Sequence, residues 1–169
     1  MKVVHTIPPV FDRFSEILIL GSFPSVKSRA ISFYYGNPRN RFWDVLTAVF
    51  SEDAHCCRPE TEAEKREFLL LHRIALWDVV QCCEIEGSRD QSIRNVVPND
   101  ISLILKTSPI RQIYANGETA GRLYRRHMEP AAGRSAVILP STSPANAVYP
   151  FARLCEAWQV IRRDDSAEL

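Results

Sequence analysis

Ile17-Leu18-Ile19-Leu20 is apolar at every position and stops at Gly21-Ser22. A run without alternation reads as a strand buried on both faces, and the glycine-serine pair reads as a sharp turn after it. From Asn40 to Phe50 the apolar positions Phe42, Val45, Leu46 and Val49 recur at helical spacing. Pro59 to His72 is predicted as a second helix, its first half loaded with Glu60, Glu62, Glu64 and Glu67, which suits the positive end of a helix dipole. Ile74 to Val80 is predicted as a strand. Asp100 to Lys106 is predicted as a short helix capped by Asn99 or Asp100. A strand over Gln112 to Ala115, a helix over Glu118 to His127, a strand over Ala136 to Leu139 and a helix over Phe151 to Arg162 complete the pattern. Residues 164–169 read as a frayed tail.

Strands alternate with helices, and the strands are short and apolar on both faces. That predicts an α/β fold with a parallel sheet covered by helices on both sides. No repeat, linker or low-complexity stretch divides the chain, so residues 1–169 are expected to form a single domain. In such sheets ligands bind beyond the carboxyl ends of the strands. Those ends are Gly21-Ser22-Phe23-Pro24-Ser25, Asp78-Val79-Val80-Gln81, Asn116-Gly117-Glu118 and Pro140-Ser141-Thr142-Ser143-Pro144. All are polar, which places the expected site at that edge.

Composition adds little: 169 residues, 46% hydrophobic, 24% charged and a formal net charge of +1 suit a globular protein with a proper core. The longest apolar run near the N-terminus is far too short for a signal core or a membrane span, so a cytoplasmic protein is expected. The cysteine number, 5, is odd, and the Cys56-Cys57 and Cys82-Cys83 pairs are adjacent. Metal-ligand pairs normally sit two to four residues apart, so free buried thiols are expected rather than a metal centre.

Charge distribution says more than the total. Ile17 to Trp43 contains no acid but holds Lys27, Arg29, Arg39 and Arg41. Pro130 to Cys155 also lacks acid and holds Arg134 and Arg153. Basic, serine-rich loops at the expected site edge suit a polyanion such as nucleic acid. Solvation of a loop is the simpler reading for Arg39 or Arg41 taken singly.

Three segments then stand together: GSFPS after the first strand, FYYGNPRNRFW over residues 33–43, and LPSTSPANA after the last strand. In this order and at strand ends they resemble the uracil-DNA glycosylase superfamily, most closely its hypoxanthine (deoxyinosine) DNA glycosylase branch. The resemblance spans roughly residues 17–158. It implies a three-layer α/β/α sandwich around a four-stranded parallel sheet. It also implies an enzyme that flips a damaged nucleotide from the duplex and hydrolyses its N-glycosidic bond, with no metal and no cofactor. The implied partner is damaged DNA, and a monomer suffices.

The resemblance also suggests roles. Tyr35 falls where related enzymes stack an aromatic ring on the flipped base, with Phe33 and Tyr34 as alternatives; core packing is the other reading, and the better one for Phe42 and Trp43. The first-motif position that often holds a water-binding Asp or Asn is Phe23, which could touch the base only through its backbone. The water-positioning role then passes to Asn40, which could equally cap the following helix. Asp78 could accept the N–H that hypoxanthine and uracil present beside a carbonyl, or cap a turn. Asn116 is a weaker base-edge candidate, since Asn-Gly is also simply a turn. Ser22, Ser25, Lys27, Arg39, Arg41, Ser141, Thr142 and Ser143 are candidates for phosphate contacts. Asn37 and Leu139 stand where relatives carry histidine, and the bulky wedge is replaced by Ser143, Pro144 or Ala145, which predicts an enzyme slower than a dedicated uracil glycosylase, with a broader or different base preference. A mismatch-type uracil or thymine glycosylase and a catalytically inactive nucleic-acid-binding domain are the competing readings. An α/β hydrolase fares worst: there is no Gly-x-Ser-x-Gly elbow, and His5, His55, His72 and His127 lie outside the predicted loops.

Overall fold

The computed structural model describes residues 2–52 and 57–162. The expected frayed tail, His55 and Cys56 lie outside them. The centre is a parallel sheet of β2 (Ile17–Gly21), β3 (Ile74–Asp78), β6 (Gln112–Asn116) and β7 (Ala136–Leu139), in the order β3-β2-β6-β7. Successive strand side chains point to opposite faces. Ile17 and Ile19 therefore enter one core cluster, with Val45, Leu46 and Val49 of α2 (Phe42–Val49), Leu69 of α3 (Glu62–Leu71) and Leu154 and Trp158 of α7 (Phe151–Trp158). Leu18 and Leu20 enter the other, with Ile104 of α4 (Ser102–Thr107) and Leu123 and Tyr124 of α5 (Glu118–His127). Each such buried aliphatic contributes about 1.5–3 kcal/mol by leaving water. The fold is α/β, a four-stranded parallel sheet flanked by helices.

Several boundaries differ from the sequence expectation for local reasons. The second helix starts at Glu62, not Pro59, because Thr61 caps it. Its hydroxyl accepts from Glu64 N, and the Glu64 carboxylate reaches back to Thr61 N. The fourth helix begins at Ser102. Asp100 takes the Ser102 N–H, while Asn99 turns back and donates to the Asp78 carbonyl at 2.9 Å. The predicted strand Ile74–Val80 is two strands. It bends at Val79, and β4 (Val80–Glu84) leaves the parallel sheet.

β4 joins β1 (Lys2–Val4) and β5 (Arg94–Pro98) in a separate antiparallel sheet ordered β1-β4-β5. It covers part of the second core through Val80 and Cys83. Cys82 and Cys83 are free and buried as expected, and burial pushes the Cys83 thiol up to about 11; Cys57 is exposed, contrary to expectation. The helix α1 (Val26–Ile31), also unforeseen, follows Ser25, whose side chain accepts from Ser28 N. α6 (Glu129–Ala132) precedes β7. No described helix is long and apolar enough to cross a membrane.

Candidate active site

The carboxyl ends of the parallel strands open into a cleft of about 860 Å³, lined by all four predicted loops. Its construction begins with two glycines. A methyl group on Gly21 would lie 2.3 Å from Asp78 Oδ1 and 3.0 Å from the Tyr35 hydroxyl. Gly117 has φ +97°, and a methyl there would meet Ser141 at 2.9 Å. Both let polar side chains of neighbouring strands close against backbone.

A hydrogen-bond chain ties the strand ends together. Asn116 Nδ2 donates to the Tyr35 hydroxyl and to Thr142 Oγ1, each at 3.0 Å, and Asn116 Oδ1 accepts from Thr142 N. Thr142 Oγ1 donates to Asn40 Oδ1 at 2.8 Å, and that oxygen also accepts from Phe42 N at 3.0 Å. Both lone pairs of the Asn40 carbonyl are thereby used, one of them at the entry to α2. Asn40 lines the cleft, and its Nδ2 has no partner among the described residues. The amide therefore offers its N–H donors to the cleft, while its carbonyl is engaged by the helix entry and Thr142.

Tyr35 lies at φ +52°, a left-handed conformation that an aromatic residue adopts at a cost of order 1–3 kcal/mol. Its ring stacks on Phe42 at 3.9 Å with a 19° tilt, so one face is already covered. Burial, then the Asp78 charge, raise its pKa and keep its hydroxyl protonated. Phe33 and Tyr34 are buried in the core beside Phe42 and Trp43, and the Tyr34 hydroxyl donates to the Pro8 carbonyl. Phe23 is likewise buried, although its residue lines the cleft. Asn37 lines the cleft too, and its Oδ1 accepts from Arg39 N, shaping the turn.

Asp78 is 4% exposed. Its Oδ2 accepts from His5 Nε2 at 2.7 Å, while Oδ1 has no partner among the described residues and is the atom crowding Gly21. His5, set aside on sequence grounds, is thus directly behind the site. Asp90, in a short helical turn over Asp90–Ser92, was also missed. It lines the cleft and accepts from Ser22 Oγ at 2.8 Å. Burial raises its pKa, the Ser22 hydrogen bond opposes the rise, and Asp78 adds to it. The 17–43 and 130–155 stretches are acid-free, but Asp78 and Asp90 bring carboxylates to the cleft.

The expected phosphate contacts divide. Lys27 and Arg39 are exposed, and no ion pair engages either among the described residues. Ser141 and Ser143 accept N–H bonds from Ser143 and Ala145, which leaves their O–H groups free to donate. Four others are engaged within the protein. Ser22 is committed to Asp90, Ser25 caps α1, and Thr142 is 0% exposed. Arg41 points inward: its guanidinium donates to the carbonyls of Tyr149 at 2.6 Å, Asn146 at 3.0 Å and Ser143 at 3.4 Å. The loop it braces carries Val148, 82% exposed, so an apolar side chain does stand on the last-motif loop, a few residues beyond the expected wedge position.

Comparisons with known proteins show what the chain is similar to. The chain is 37% identical over 161 residues to a protein named hypoxanthine DNA glycosylase from Methanosarcina acetivorans, covering 92% of this chain and 96% of that one. A protein of the same name from Methanosarcina barkeri is 35% identical over 143 residues, covering 82% and 85%. A solution NMR structure of a Methanosarcina acetivorans protein, provisionally named a uracil DNA glycosylase, superposes with a TM-score of 0.76 at 32% identity, covering 95% of this chain and 99% of that one. The family model for the uracil DNA glycosylase superfamily matches residues 8–163, and the chain belongs to that superfamily.

Proposed function

We propose that this protein is a monofunctional DNA glycosylase that takes a deaminated base into the cleft, hypoxanthine first and uracil second, and hydrolyses its N-glycosidic bond. The observation that carries the reading is the pairing of a free carboxylate oxygen on Asp78 with free donors on Asn40 and Tyr35 in one cleft at the strand ends. Hypoxanthine and uracil present an N–H beside a carbonyl, so an acceptor and a donor together complement that edge. The names of the Methanosarcina relatives support hypoxanthine as the base.

The chemistry passes through a sugar with oxocarbenium character while the base departs as an anion. Carboxylates at Asp78 and Asp90 favour the cationic sugar. The Asn40 amide suits an oxygen that gains negative charge, such as the carbonyl of the departing base. Tyr35, held by Phe42 behind it, would stack on the base; such stacking contributes about 1–3 kcal/mol per base. Lys27, Arg39, Ser141 and Ser143 would hold the flanking phosphates, and Val148 would enter the space left by the flipped nucleotide. The test is excision from duplexes that each contain one hypoxanthine, uracil, xanthine or mismatched thymine, read as alkali-labile strand breaks. Breaks at hypoxanthine exceed those at thymine if the reading holds; no breaks with any substrate would refute it.

A further inference from the structure

His5 has no place in the reading above. It does not line the cleft, and its side chain is 1% exposed. It follows β1, whose antiparallel pairing with β4 brings the N-terminal segment behind the end of β3. Three interactions fix its ring. Ile7 N donates to Nδ1 at 3.1 Å, Nε2 lies 2.7 Å from Asp78 Oδ2, and Phe23 meets the ring edge-on with centroids 6.0 Å apart. A backbone N–H can only donate, so Nδ1 must carry a lone pair. The ring proton then sits on Nε2, and His5 is a fixed donor to Asp78.

We propose that His5 is a positioning residue that makes Asp78 an acceptor-only reader of the flipped base, so that the pair discriminates a deaminated base from its amino parent. The inference rests on the glycosylase reading. With Oδ2 held by the imidazole N–H, the carboxylate turns Oδ1 to the cleft. Hypoxanthine offers N1–H to that oxygen, whereas adenine offers the lone pair of N1 and is repelled. Uracil and cytosine differ in the same way at N3. Guanine shares the N–H and carbonyl of hypoxanthine, so its exclusion falls to the shape of the cleft around its 2-amino group.

The fixed polarity of His5 has a consequence that packing alone would not produce. In Asp78→Asn, the His5 N–H selects the new carbonyl and forces the NH2 group into the cleft. A donor then opposes the N1–H of hypoxanthine, and an unmatched buried donor pair of this kind lowers rate by about 10–100-fold. Removing the donor frees the amide to turn over. Single-turnover excision of hypoxanthine is measured for wild type, Asp78→Asn, and Asp78→Asn combined with His5→Ala or with His5→Gln, alongside binding to duplexes with adenine or hypoxanthine at the same position. Asp78→Asn is expected to lose about 10–100-fold and to shift the binding ratio toward adenine. Both double variants are expected to regain about tenfold over Asp78→Asn. Gln fills much of the same space and can donate or accept, so it keeps the test valid if Ala destabilises the fold. Double variants no faster than Asp78→Asn would overturn the role of His5, and so would Asp78→Asn at the wild-type rate. A wild-type protein inactive on hypoxanthine would instead overturn the glycosylase reading itself.

Discussion

Asn40 has a structural and a chemical face, and two substitutions separate them. Asn40→Asp keeps an oxygen that accepts from Phe42 N and Thr142 Oγ1, and replaces the free Nδ2 donor by a second oxygen. The added negative charge sits at the start of α2, where the helix dipole welcomes it. Stability is therefore expected to change by less than about 0.5 kcal/mol. Loss of one donor aimed at developing negative charge costs about 10²–10³ in rate, so hypoxanthine excision under single turnover should fall by that factor. Asn40→Ala removes the acceptor as well. The helix-entry bond is worth about 1 kcal/mol, and the buried Thr142 hydroxyl, 0% exposed, loses a partner worth about 1 kcal/mol more. At about 2–4 °C per kcal/mol for a domain of this size, the midpoint should drop by about 4–8 °C. The assays are single-turnover excision with duplex in deficit of enzyme and thermal unfolding followed by circular dichroism. Asn40→Asp at wild-type speed would refute the donor role. Asn40→Ala with an unshifted midpoint would refute the entry role.

Gly21→Ala places a methyl 2.3 Å from Asp78 Oδ1, about 1.1 Å inside ordinary contact; because a misplacement near 1 Å can cost about 10²-fold, excision should fall by that order while duplex affinity, measured by anisotropy, holds. Asp90→Asn should raise the unfolding midpoint near pH 7. The raised carboxyl of Asp90 makes the folded state bind more protons than the unfolded state just above the ordinary carboxylate range, so wild-type stability falls as pH rises through that window. The advantage of Asn over Asp should shrink as pH is lowered through the same window, which thermal melts at a series of pH values will check. Lys27→Gln with Arg39→Gln should weaken binding to damaged and undamaged duplex alike and reduce the slope of log affinity against log salt by up to about 2.

The parallel sheet was legible because Ile17–Leu20 is apolar at every position, and burial on both faces explains that run. The cleft followed from the sheet, since strand ends at 21–25, 78–81, 116–118 and 140–144 are polar. The antiparallel sheet was not legible. β1 has 3 residues, and β5 reads Arg94-Asn95-Val96-Val97-Pro98, with a proline and a charge. Nor were the partners of the site. His5 meets Asp78 across 73 residues, Ser22 meets Asp90 across 68, and Arg41 meets Tyr149 across 108, distances over which no local pattern carries information. Arg41 illustrates the error that follows. A cation in an acid-free loop suggests phosphate, yet three backbone carbonyls can engage its terminal nitrogens instead.

That inward arginine sets a limit on how the cleft can be altered. Arg41 N also donates to the Thr142 carbonyl, so one residue grips the 142–149 segment through backbone and side chain together. Its immediate neighbour is Asn40. Lengthening or replacing that last segment to admit a larger base would pull on the same short stretch that aims the amide. Lysine could not stand in at 41, because a single ammonium lacks the span of a planar fork over carbonyls contributed by Ser143, Asn146 and Tyr149. Libraries that vary the 142–149 segment alone should therefore yield mostly inert variants, whereas libraries that vary residues 40, 41 and 142–149 as one unit retain a route to new specificity.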